Sequence, residues 1–320
     1  MNLVSLSLAF QGVAKPESSY RRIKRFFSEV SLDKTAVARF VLSFLPPPPY
    51  TLCVDRTNWR FGTFDINILV IAVAYRGIAL PLVWRLLEKK GNSSSEERID
   101  LLADLLRLIN PKDIAFFLAD REFIGVTWFN YLDKRRIPFA IRIRKDSLCD
   151  NWCAVSTLFA PLSSGELKIL THTYNIYGCS LRLAGMKLAH QDYAIIATNR
   201  MPTQAFLAYQ RRWEIEMLFS AFKTTGFDVE ATHLTKLYKL DTLVTLLTLA
   251  FFWAHYVGEW LHDTRTKPLR LKSHLRREKS FFRHGLDHLR YLLKKLPRLR
   301  LYNELRVLPR FCPPIDVAIS

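Results

Sequence analysis

Residues 50–84, YTLCVDRTNWRFGTFDINILVIAVAYRGIALPLVW, decide the fold. They contain three closely spaced runs rich in β-branched and aromatic residues: YTLCVD at 50–55, INILVIAVAY at 66–75 and IALPLVW at 78–84. Such runs, separated here by Gly62 and Gly77, are typical of strands joined by turns. The stretch therefore predicts an antiparallel meander, with Asp55 at the end of its first strand.

The residues that follow alternate between helical and strand patterns. A capping box, Ser94 with Glu97, precedes apolar residues at helical spacing and predicts a helix that ends before Pro111. IAFFLAD at 114–120 is predicted as a strand that ends at Asp120, and a helix and the strand PFAIRIRK at 138–145 follow. The order βββαβαβ favours a mixed sheet with helices packed on it.

The segments on either side complete the expected organisation. SLDKTAVARFVLSFL at 31–45 predicts a helix capped by Ser31 or Asp33, and the prolines at 46–49 mark a boundary. Residues 147–192 alternate in short β-like pieces and are interpreted as a β-rich insertion. YAIIATN at 193–199 predicts one more strand, and Pro202 opens the helix that comes next.

The charge of the chain predicts a polyanionic partner. The net charge is +18 and the pI is near 9.8. Residues 261–310 contain fifteen Lys/Arg against four Asp/Glu, which is most of the excess, and YRRIKRFF at 20–27 is a second basic cluster.

A membrane surface also attracts positive charge, so the apolar runs matter. The longest, TLVTLLTLAFFWAHYVG at 242–258, lies at the lower edge of the spanning length and contains His255, which favours a buried core helix over a transmembrane one. No basic region precedes the N-terminal apolar residues, so no signal peptide is predicted. The five cysteines form no CxxC pair, which indicates reduced thiols and no zinc module. We expect a cytoplasmic protein without a membrane partner.

The stretch YQRRWEIEMLFSAFK at 209–223 has helical spacing and an unusual polar stripe. At about 100° per residue, Tyr209, Arg212, Glu216 and Lys223 fall on one narrow face, whereas Arg211 and Glu214 point elsewhere. A solvated ladder of salt bridges is the plainer interpretation of such a stripe. The two aspartates predicted at strand ends upstream of this stripe, Asp55 and Asp120, favour a different interpretation.

If the first and fourth strands are neighbours in the sheet, Asp55 and Asp120 emerge side by side, and a crossing helix can bring Glu216 over them. Three converging carboxylates repel one another unless cations lie among them, and their hard oxygen atoms suit Mg²⁺ or Mn²⁺. Two such ions, about 3.5 to 4 Å apart, support in-line attack on phosphate. In such a site Arg212 and Lys223 would grip flanking phosphates, and Tyr209 would add a hydroxyl contact.

Three short motifs carry a family resemblance. DRTNW at 55–59, ADREF at 119–123 and Y-x2-R-x3-E-x6-K at 209–223 resemble the signatures of DDE transposases of bacterial insertion sequences, the last being that of the YREK group, numbered four. The resemblance spans roughly residues 17 to 262. It implies an α/β fold: an RNase H-like mixed sheet core with helices on both faces and a β-rich insertion before the last catalytic helix.

The resemblance also implies roles for individual residues. Asp55, Asp120 and Glu216 would be the catalytic triad that binds Mg²⁺, with Mn²⁺ as a plausible substitute, and Tyr209, Arg212 and Lys223 would contact the DNA backbone. Two arginines inside the motifs are further DNA-binding candidates by proximity: Arg56 and Arg121. Trp152, in the insertion, is interpreted as a core residue, with stacking on a displaced base as the alternative.

In the family, the protein cuts double-stranded DNA at the terminal inverted repeats of its own element, and the freed 3′-OH attacks target DNA. We expect a homodimer on paired ends. The implied segments are a basic helical region at 1–49, shorter than the DNA-binding region of relatives, core at 50–146, insertion at 147–192, core at 193–262 and a basic helical region at 263–320. A catalytically silent DNA-binding regulator and a stand-alone nuclease are the alternatives.

Overall fold

The computed structural model describes residues 2–8, 10, 15–61, 64–189, 192–264, 269–273 and 277–295. The chain forms two compact units. We call Pro46–Leu218 the sheet unit, and we call residues 1–45 together with 219–320 the helical unit. The sheet unit begins at the first proline of the run at 46–49.

The sheet unit is built on one eight-stranded mixed sheet. Its order is β3-β2-β1-β4-β5-β10-β9-β8, in which β1, β4 and β5 are parallel and the other neighbours are antiparallel. The strands of this sheet are β1 Tyr50–Phe61, β2 Phe64–Tyr75, β3 Ile78–Leu87, β4 Ile114–Ala119, β5 Phe139–Ile143, β8 Leu167–Ile176, β9 Cys179–Lys187 and β10 Tyr193–Thr198. A separate two-stranded ladder joins β6 Leu148–Cys149 to β7 Cys153–Ala154.

Helices cover both faces of this sheet, as expected for the RNase H-like fold predicted from the sequence. They are α4 Ser95–Leu106, α5 Val126–Lys134, α6 Pro202–Tyr209 and the start of α7 Glu214–Phe222. The predicted capping box is present: the backbone N–H of Glu97 donates to Ser94 Oγ, and that of Ser94 donates to a Glu97 carboxylate oxygen. Strand β2, the second from one edge of the sheet, is buried from Ile66 to Ala74, which is why its residues are apolar apart from Asn67.

Strand β1 is longer than the sequence indicated. Asp55 was predicted at its end, but β1 continues to Phe61 because Thr57 and Trp59 pair with β2 and are buried. What ends before Asp55 is the parallel ladder with β4, whose last pair is Val54 with Ala119. The prediction of a strand end was wrong, and the position it marked is the end of the ladder.

The residues predicted as an insertion extend the main sheet. Strand β9 pairs with β10, and β8 pairs with β9 on the outer edge. Trp152, interpreted as a core residue, is 84% exposed, so that interpretation was wrong. It lies in the short 3-10 turn Asp150–Trp152 that joins β6 to β7, with its backbone in the left-handed region at φ 60°.

The helical unit consists of five described helices: α1 Leu3–Leu8, α2 Pro16–Glu29, α3 Lys34–Leu42, α8 Leu237–Thr264 and α9 Phe281–Lys295. Asp33 caps α3 by accepting hydrogen bonds from the backbone N–H groups of Thr35 and Ala36. By length and composition α8 is apolar enough to cross a membrane, but 67% of its most apolar stretch is buried within the protein. It is the core helix of this unit and packs against α2, α3 and α9.

Two glycines allow α8 and α9 to cross closely. A Cβ atom on Gly258 would collide with the backbone of Phe281, and one on Gly285 would collide with the carbonyl oxygen of Ala254. Next to this crossing, the rings of Phe251 and Phe282 lie 4.7 Å apart between centroids. The absence of side chains at the two glycines therefore sets the distance between the helices.

We expect Gly285→Ala to lower the free energy of unfolding of the helical unit by about 1 to 3 kcal/mol, because the added methyl group must push α9 away from α8. Alanine is intrinsically favoured over glycine inside a helix by about 1 kcal/mol, so steric conflict has to outweigh that gain. Thermal unfolding followed by circular dichroism measures the change. Tyr291→Ala, at a 57% exposed position on α9, is the control. A variant as stable as the wild type would contradict the close crossing.

Candidate active site

Three parallel strands present charged residues in a row. Val54 of β1 pairs with Ala119 of β4, and Ala119 pairs with Ile141 of β5. The next residues on the three strands are Asp55, Asp120 and Arg142. Because the strands are parallel and in this register, these residues are neighbours across the sheet. The condition on which the sequence interpretation depended, that the first and fourth strands are neighbours in the sheet, is met.

The two aspartates have the same local geometry. The backbone N–H of Arg56 donates to Asp55 Oδ1 at 2.7 Å, and the backbone N–H of Arg121 donates to Asp120 Oδ1 at 2.7 Å. Each carboxylate thus accepts from the residue that follows it. One oxygen of each is held by the backbone, and its orientation is fixed by the strand that carries it.

The residues after the two aspartates are tied together. Arg98 of α4 is buried and donates to the carbonyl oxygens of Ser93, Glu122 and Ile124. The side chain of Glu122 in turn accepts two hydrogen bonds from Arg56, at 3.0 and 3.2 Å. This network fixes the loop after Asp120 relative to β1. Arg98 is not identifiable from the sequence, because nothing in a helical pattern marks an arginine as buried.

Arg56 makes all its side-chain hydrogen bonds within the protein. Besides Glu122, its guanidinium donates to three asparagines and one carbonyl oxygen: Asn58, Asn67, Asn92 and Gly91. Its side chain is 14% exposed. These contacts favour a role in positioning the aspartates, and the DNA contact predicted for Arg56 stays a prediction.

The stretch 209–223 was predicted as one helix, which was wrong in detail. Helix α6 ends at Tyr209, a 3-10 turn covers Gln210–Trp213, and α7 begins at Glu214. Since a 3-10 turn has about 3 residues per turn, Tyr209 and Arg212 still lie on the same side. The other side of the turn is anchored on the sheet: Arg211 donates to the carbonyl oxygen of Ala74 at 2.6 Å and pairs with Glu214 at 3.2 Å.

Arg212 lies between two of the predicted catalytic acids. Its Nη2 donates to Glu216 Oε1 at 2.7 Å, and its Nη1 is 3.5 Å from Asp55 Oδ2. The guanidinium also lies over the ring of Tyr209, 5.9 Å from its centroid. Asp55 and Glu216 thus share one cation, and the positive charge of Arg212 offsets the repulsion between them.

Burial shifts the acid–base behaviour of this site. Desolvation raises the pKa of Asp55 from its usual 3.8 to about 7; the backbone N–H of Arg56 and the charge of Arg212 act against this rise, and Glu122 and Asp120 add to it. Desolvation, followed by the negative charge of Asp120, also raises the pKa of Tyr209. Asp120 therefore acts electrostatically on both Asp55 and Tyr209.

The donor chemistry of the site fits Mg²⁺ or Mn²⁺, because it consists of carboxylate oxygens. The spacing is not that of a closed metal site. Within the described ranges, no three acidic, histidine or cysteine side chains are close enough to hold one ion. The space between Asp55 and Glu216 contains the guanidinium of Arg212, so a cation binding both acids requires that side chain to move.

A basic cavity of about 260 Å³ adjoins the row of charged residues. Arg142 lines it and is held by Asp192 at 3.2 Å and by the carbonyl oxygen of Tyr193 at 2.9 Å. We call this the arginine cavity. Its charged lining residues are Arg121, Arg142, Arg144, Lys145, Asp146 and Asp192. Of these, only Arg121 was predicted from the sequence; the strand-end run RIRK at 142–145 is the signal that identifies the other cations.

Two buried arginine donors at the site have no acceptor in the described part of the chain: Nε of Arg212 and Nε of Arg142. A buried donor without a partner is costly, and a bound anion would satisfy it.

Lys223, the last residue of the predicted stripe, follows the C-terminal end of α7 in the helical unit. Its predicted contact with DNA stays a prediction.

Comparison with known proteins gives a family match over most of the chain. Residues 46–253 match the family described as transposase DDE domain. No curated protein sequence matches the chain.

Among solved structures, a piggyBac transposase in a synaptic complex with hairpin DNA is similar at 12% identity and a TM-score of 0.45 over 85% of this chain and 60% of that one. The catalytic core of HTLV-2 integrase in complex with magnesium is 14% identical over 29% of this chain and 61% of that one, with a TM-score of 0.24. Human endonuclease V is 14% identical over 73% and 97%, with a TM-score of 0.32. The chain thus spans about 60% of the piggyBac transposase and of the integrase core.

The raised pKa of Asp55 predicts how the free energy of unfolding depends on pH when no metal ions are present. Between pH 4 and 7 the unfolded chain loses this proton while the folded protein keeps it, so the contribution of Asp55 to stability falls as pH rises through this range. Asp55→Asn removes the effect. In EDTA, the variant should gain up to about 2 to 3 kcal/mol over the wild type between pH 5 and pH 8.

Chemical denaturation at the two pH values measures this difference. Asp100→Asn is the matched control, because Asp100 is a 59% exposed surface carboxylate paired with Arg85. If the difference in free energy of unfolding between Asp55→Asn and the wild type does not depend on pH, burial does not raise the pKa of Asp55.

Proposed function

The chain belongs to the family of transposase DDE domains, and on that premise we propose that it cleaves DNA at the terminal inverted repeats of its own element and joins the freed 3′-OH to target DNA. The observation that supports this best is the arrangement around Arg212, in which one guanidinium contacts Asp55 and Glu216 while Asp120 is in register beside Asp55. Two of the three acids thus contact one basic side chain, and the negative charge of the third, Asp120, also acts on it by raising the pKa of Arg212.

The three acids are the residues that would hold Mg²⁺. When bound, the metal would supply a Lewis acid that activates the attacking oxygen and stabilises the leaving oxygen of a phosphodiester. The backbone N–H groups of Arg56 and Arg121 orient Asp55 and Asp120 for this role. Water and then a 3′-OH would serve as nucleophiles, so no covalent bond between protein and DNA is required.

We propose that Arg212 exchanges partners when DNA binds. In the free protein its charge offsets those of Asp55 and Glu216, and with cations bound to the acids it becomes available to the phosphate backbone. The Nε–H of Arg212 has no acceptor in the described part of the chain, and it would donate a hydrogen bond to a phosphate oxygen. Tyr209 lies under the guanidinium, and desolvation and the charge of Asp120 raise its pKa. Its hydroxyl group would contact the DNA backbone on the same side.

The arginine cavity would hold the next phosphates along the strand. Arg142 lies directly beside Asp120 in the sheet, and Arg121 follows Asp120 in the chain, so cations extend from the acids toward Arg144 and Lys145. The backbone N–H of Tyr193 lowers the pKa of Asp192, and the charges of Arg142, Arg121 and Lys145 lower it further. Asp192 therefore stays ionised and holds Arg142 in place.

The partner is proposed to be double-stranded DNA, bound by a homodimer that holds two element ends together. A cytoplasmic location fits a DNA-acting protein of a bacterial insertion sequence. Both the DNA partner and the location follow from the family. The net charge of +18 also supports DNA as the partner.

The cleavage reaction is tested with a labelled duplex that carries the inverted repeats flanking the coding sequence. With Mg²⁺, the wild type should nick this DNA at the repeat end, and Asp120→Asn should be slower by about a thousandfold or more, because several kcal/mol of charge stabilisation are lost. Gel analysis of the strand breaks measures the rate. Asp100→Asn is the control for loss of a carboxylate outside the site.

The three functional alternatives give different outcomes. Equal cleavage by the wild type and Asp120→Asn, or DNA binding without cleavage by either, would remove the catalytic proposal; the second result would indicate a DNA-binding regulator. Cleavage that depends on Asp120 but ignores the repeat ends would indicate a nuclease.

The arginine cavity makes a separate prediction. We expect the triple variant Arg121→Ala, Arg144→Ala, Lys145→Ala to bind DNA more weakly and to lower the slope of log K against log salt concentration by about 2 to 3, since each lost phosphate contact removes about 0.9. Fluorescence anisotropy at several salt concentrations measures both quantities. Replacement of three exposed cations on other elements, Arg107, Lys112 and Arg135, is the control. A slope equal to that of the control would contradict phosphate binding in the cavity.

A further inference from the structure

A second basic cavity lies in the helical unit, and the function proposed above does not use it. Its volume is about 280 Å³, and α2 and the segment leading into α8 form its walls. We call it the lysine pocket. The residues that line it are Leu3, Tyr20, Lys24, Phe27, Thr232, His233, Leu234, Thr235, Lys236 and Lys239.

Among the described residues, no acidic side chain balances the charge of the lysine pocket. Lys24, Lys236 and Lys239 line it, and no aspartate or glutamate does. Across the described ranges these three lysines form no ion pair, whereas other lysines do: Lys34 pairs with Asp241, Lys89 with Glu97, Lys90 with Asp65 and Lys279 with Asp287. Three ammonium groups around one cavity repel one another, and a bound anion would relieve that repulsion.

The base of the pocket is apolar and buried. Leu3, Phe27 and Leu234 are each less than 10% exposed. The ammonium of Lys24 lies over the ring of Tyr20 at 5.6 Å from its centroid, which restrains that side chain at the rim. His233 and Thr235, both exposed, add further polar atoms at the opening. An apolar base with a cationic rim suits a ligand whose charge stays at the surface.

The surroundings favour a long polyanion over a single small ion. On α2, one turn before Lys24, the exposed side chain of Arg21 continues the positive surface, whereas Arg22 and Arg25 line a different cavity on another face of the helix. A nucleic acid backbone presents phosphates in a regular series, so it can occupy the pocket and this helix face at once.

We infer that the lysine pocket binds a backbone phosphate of DNA at a site separate from the catalytic acids. The choice of DNA as the polyanion rests on the proposed function. The pocket contains no metal-binding acids, so its contact is independent of Mg²⁺. It contributes affinity and fixes where the strand lies on the helical unit, and it reads no base sequence, because phosphate contacts carry none.

The test uses the full-length chain and a mixed-sequence DNA duplex of about 30 base pairs, without divalent metal. The triple variant Lys24→Ala, Lys236→Ala, Lys239→Ala should bind this duplex at least about tenfold more weakly near physiological salt, with a salt slope lower by about 2 to 3. A matched triple variant of exposed lysines outside the pocket, Lys112→Ala, Lys134→Ala, Lys272→Ala, should lose clearly less. Replacement of the three pocket lysines by arginine should retain the affinity.

Two results would overturn the inference. One is equal loss of affinity in the pocket and control variants at unchanged melting temperature, since general charge would then explain the binding. The other is unchanged DNA affinity in the pocket variant combined with lost binding to vesicles containing phosphatidylserine, which would assign the pocket to a membrane surface.

The same samples separate this inference from the proposed function. DNA cleavage by the wild type with Mg²⁺, together with no specific loss of binding in the pocket variant, would reject the pocket alone. Specific loss of binding in the pocket variant, together with no cleavage by the wild type, would support the pocket and reject catalysis.

Discussion

The parallel pairing of β1 with β4 is the constraint on which the site depends. The ladder ends at Val54 and Ala119, so the next residue on each strand is an aspartate whose position is set by backbone hydrogen bonds rather than by a flexible loop. The same register across β4 and β5 adds Arg142 to the row. A shift of one residue in either ladder would turn one of these side chains to the opposite face of the sheet, so the strongly buried strands protect the site as well as the fold.

Electrostatic balance is the second feature of the site. Burial raises the pKa of Asp55, and Arg212 limits that rise by sharing its charge with Asp55 and Glu216. The guanidinium therefore does in the free protein what divalent cations are proposed to do in the DNA complex. The anchoring of the same turn by Arg211 and Glu214 on the sheet keeps Arg212 directed at the acids, since successive residues of a 3-10 turn point about 120° apart.

The helical unit is held together by packing between helices. Its central helix α8 buries most of its apolar residues against other helices, and α9 crosses it closely where both helices carry glycine. Its outer surface carries basic residues that the described chain leaves without acidic partners, notably in the lysine pocket. Positive charge in the two units is thus organised around cavities, which is the arrangement expected when the ligand is a polyanion that follows the surface.

The sequence by itself determined the order of the elements, the capping box at Ser94 and the family motifs around Asp55, Asp120 and Glu216. These depend on local patterns: apolar periodicity, turn residues and side chains that bond to nearby backbone. The structure chose Asp33 over Ser31 as the cap of α3 and placed the first and fourth strands side by side. Only the tertiary structure decided that β1 runs on to Phe61, that Trp152 is exposed, and that a 3-10 turn interrupts the helix carrying Arg212. It also decided which arginines are engaged, Arg56 and Arg98 in hydrogen bonds within the protein and Arg142 beside Asp120, because partners distant in the chain determine what a charged side chain contacts.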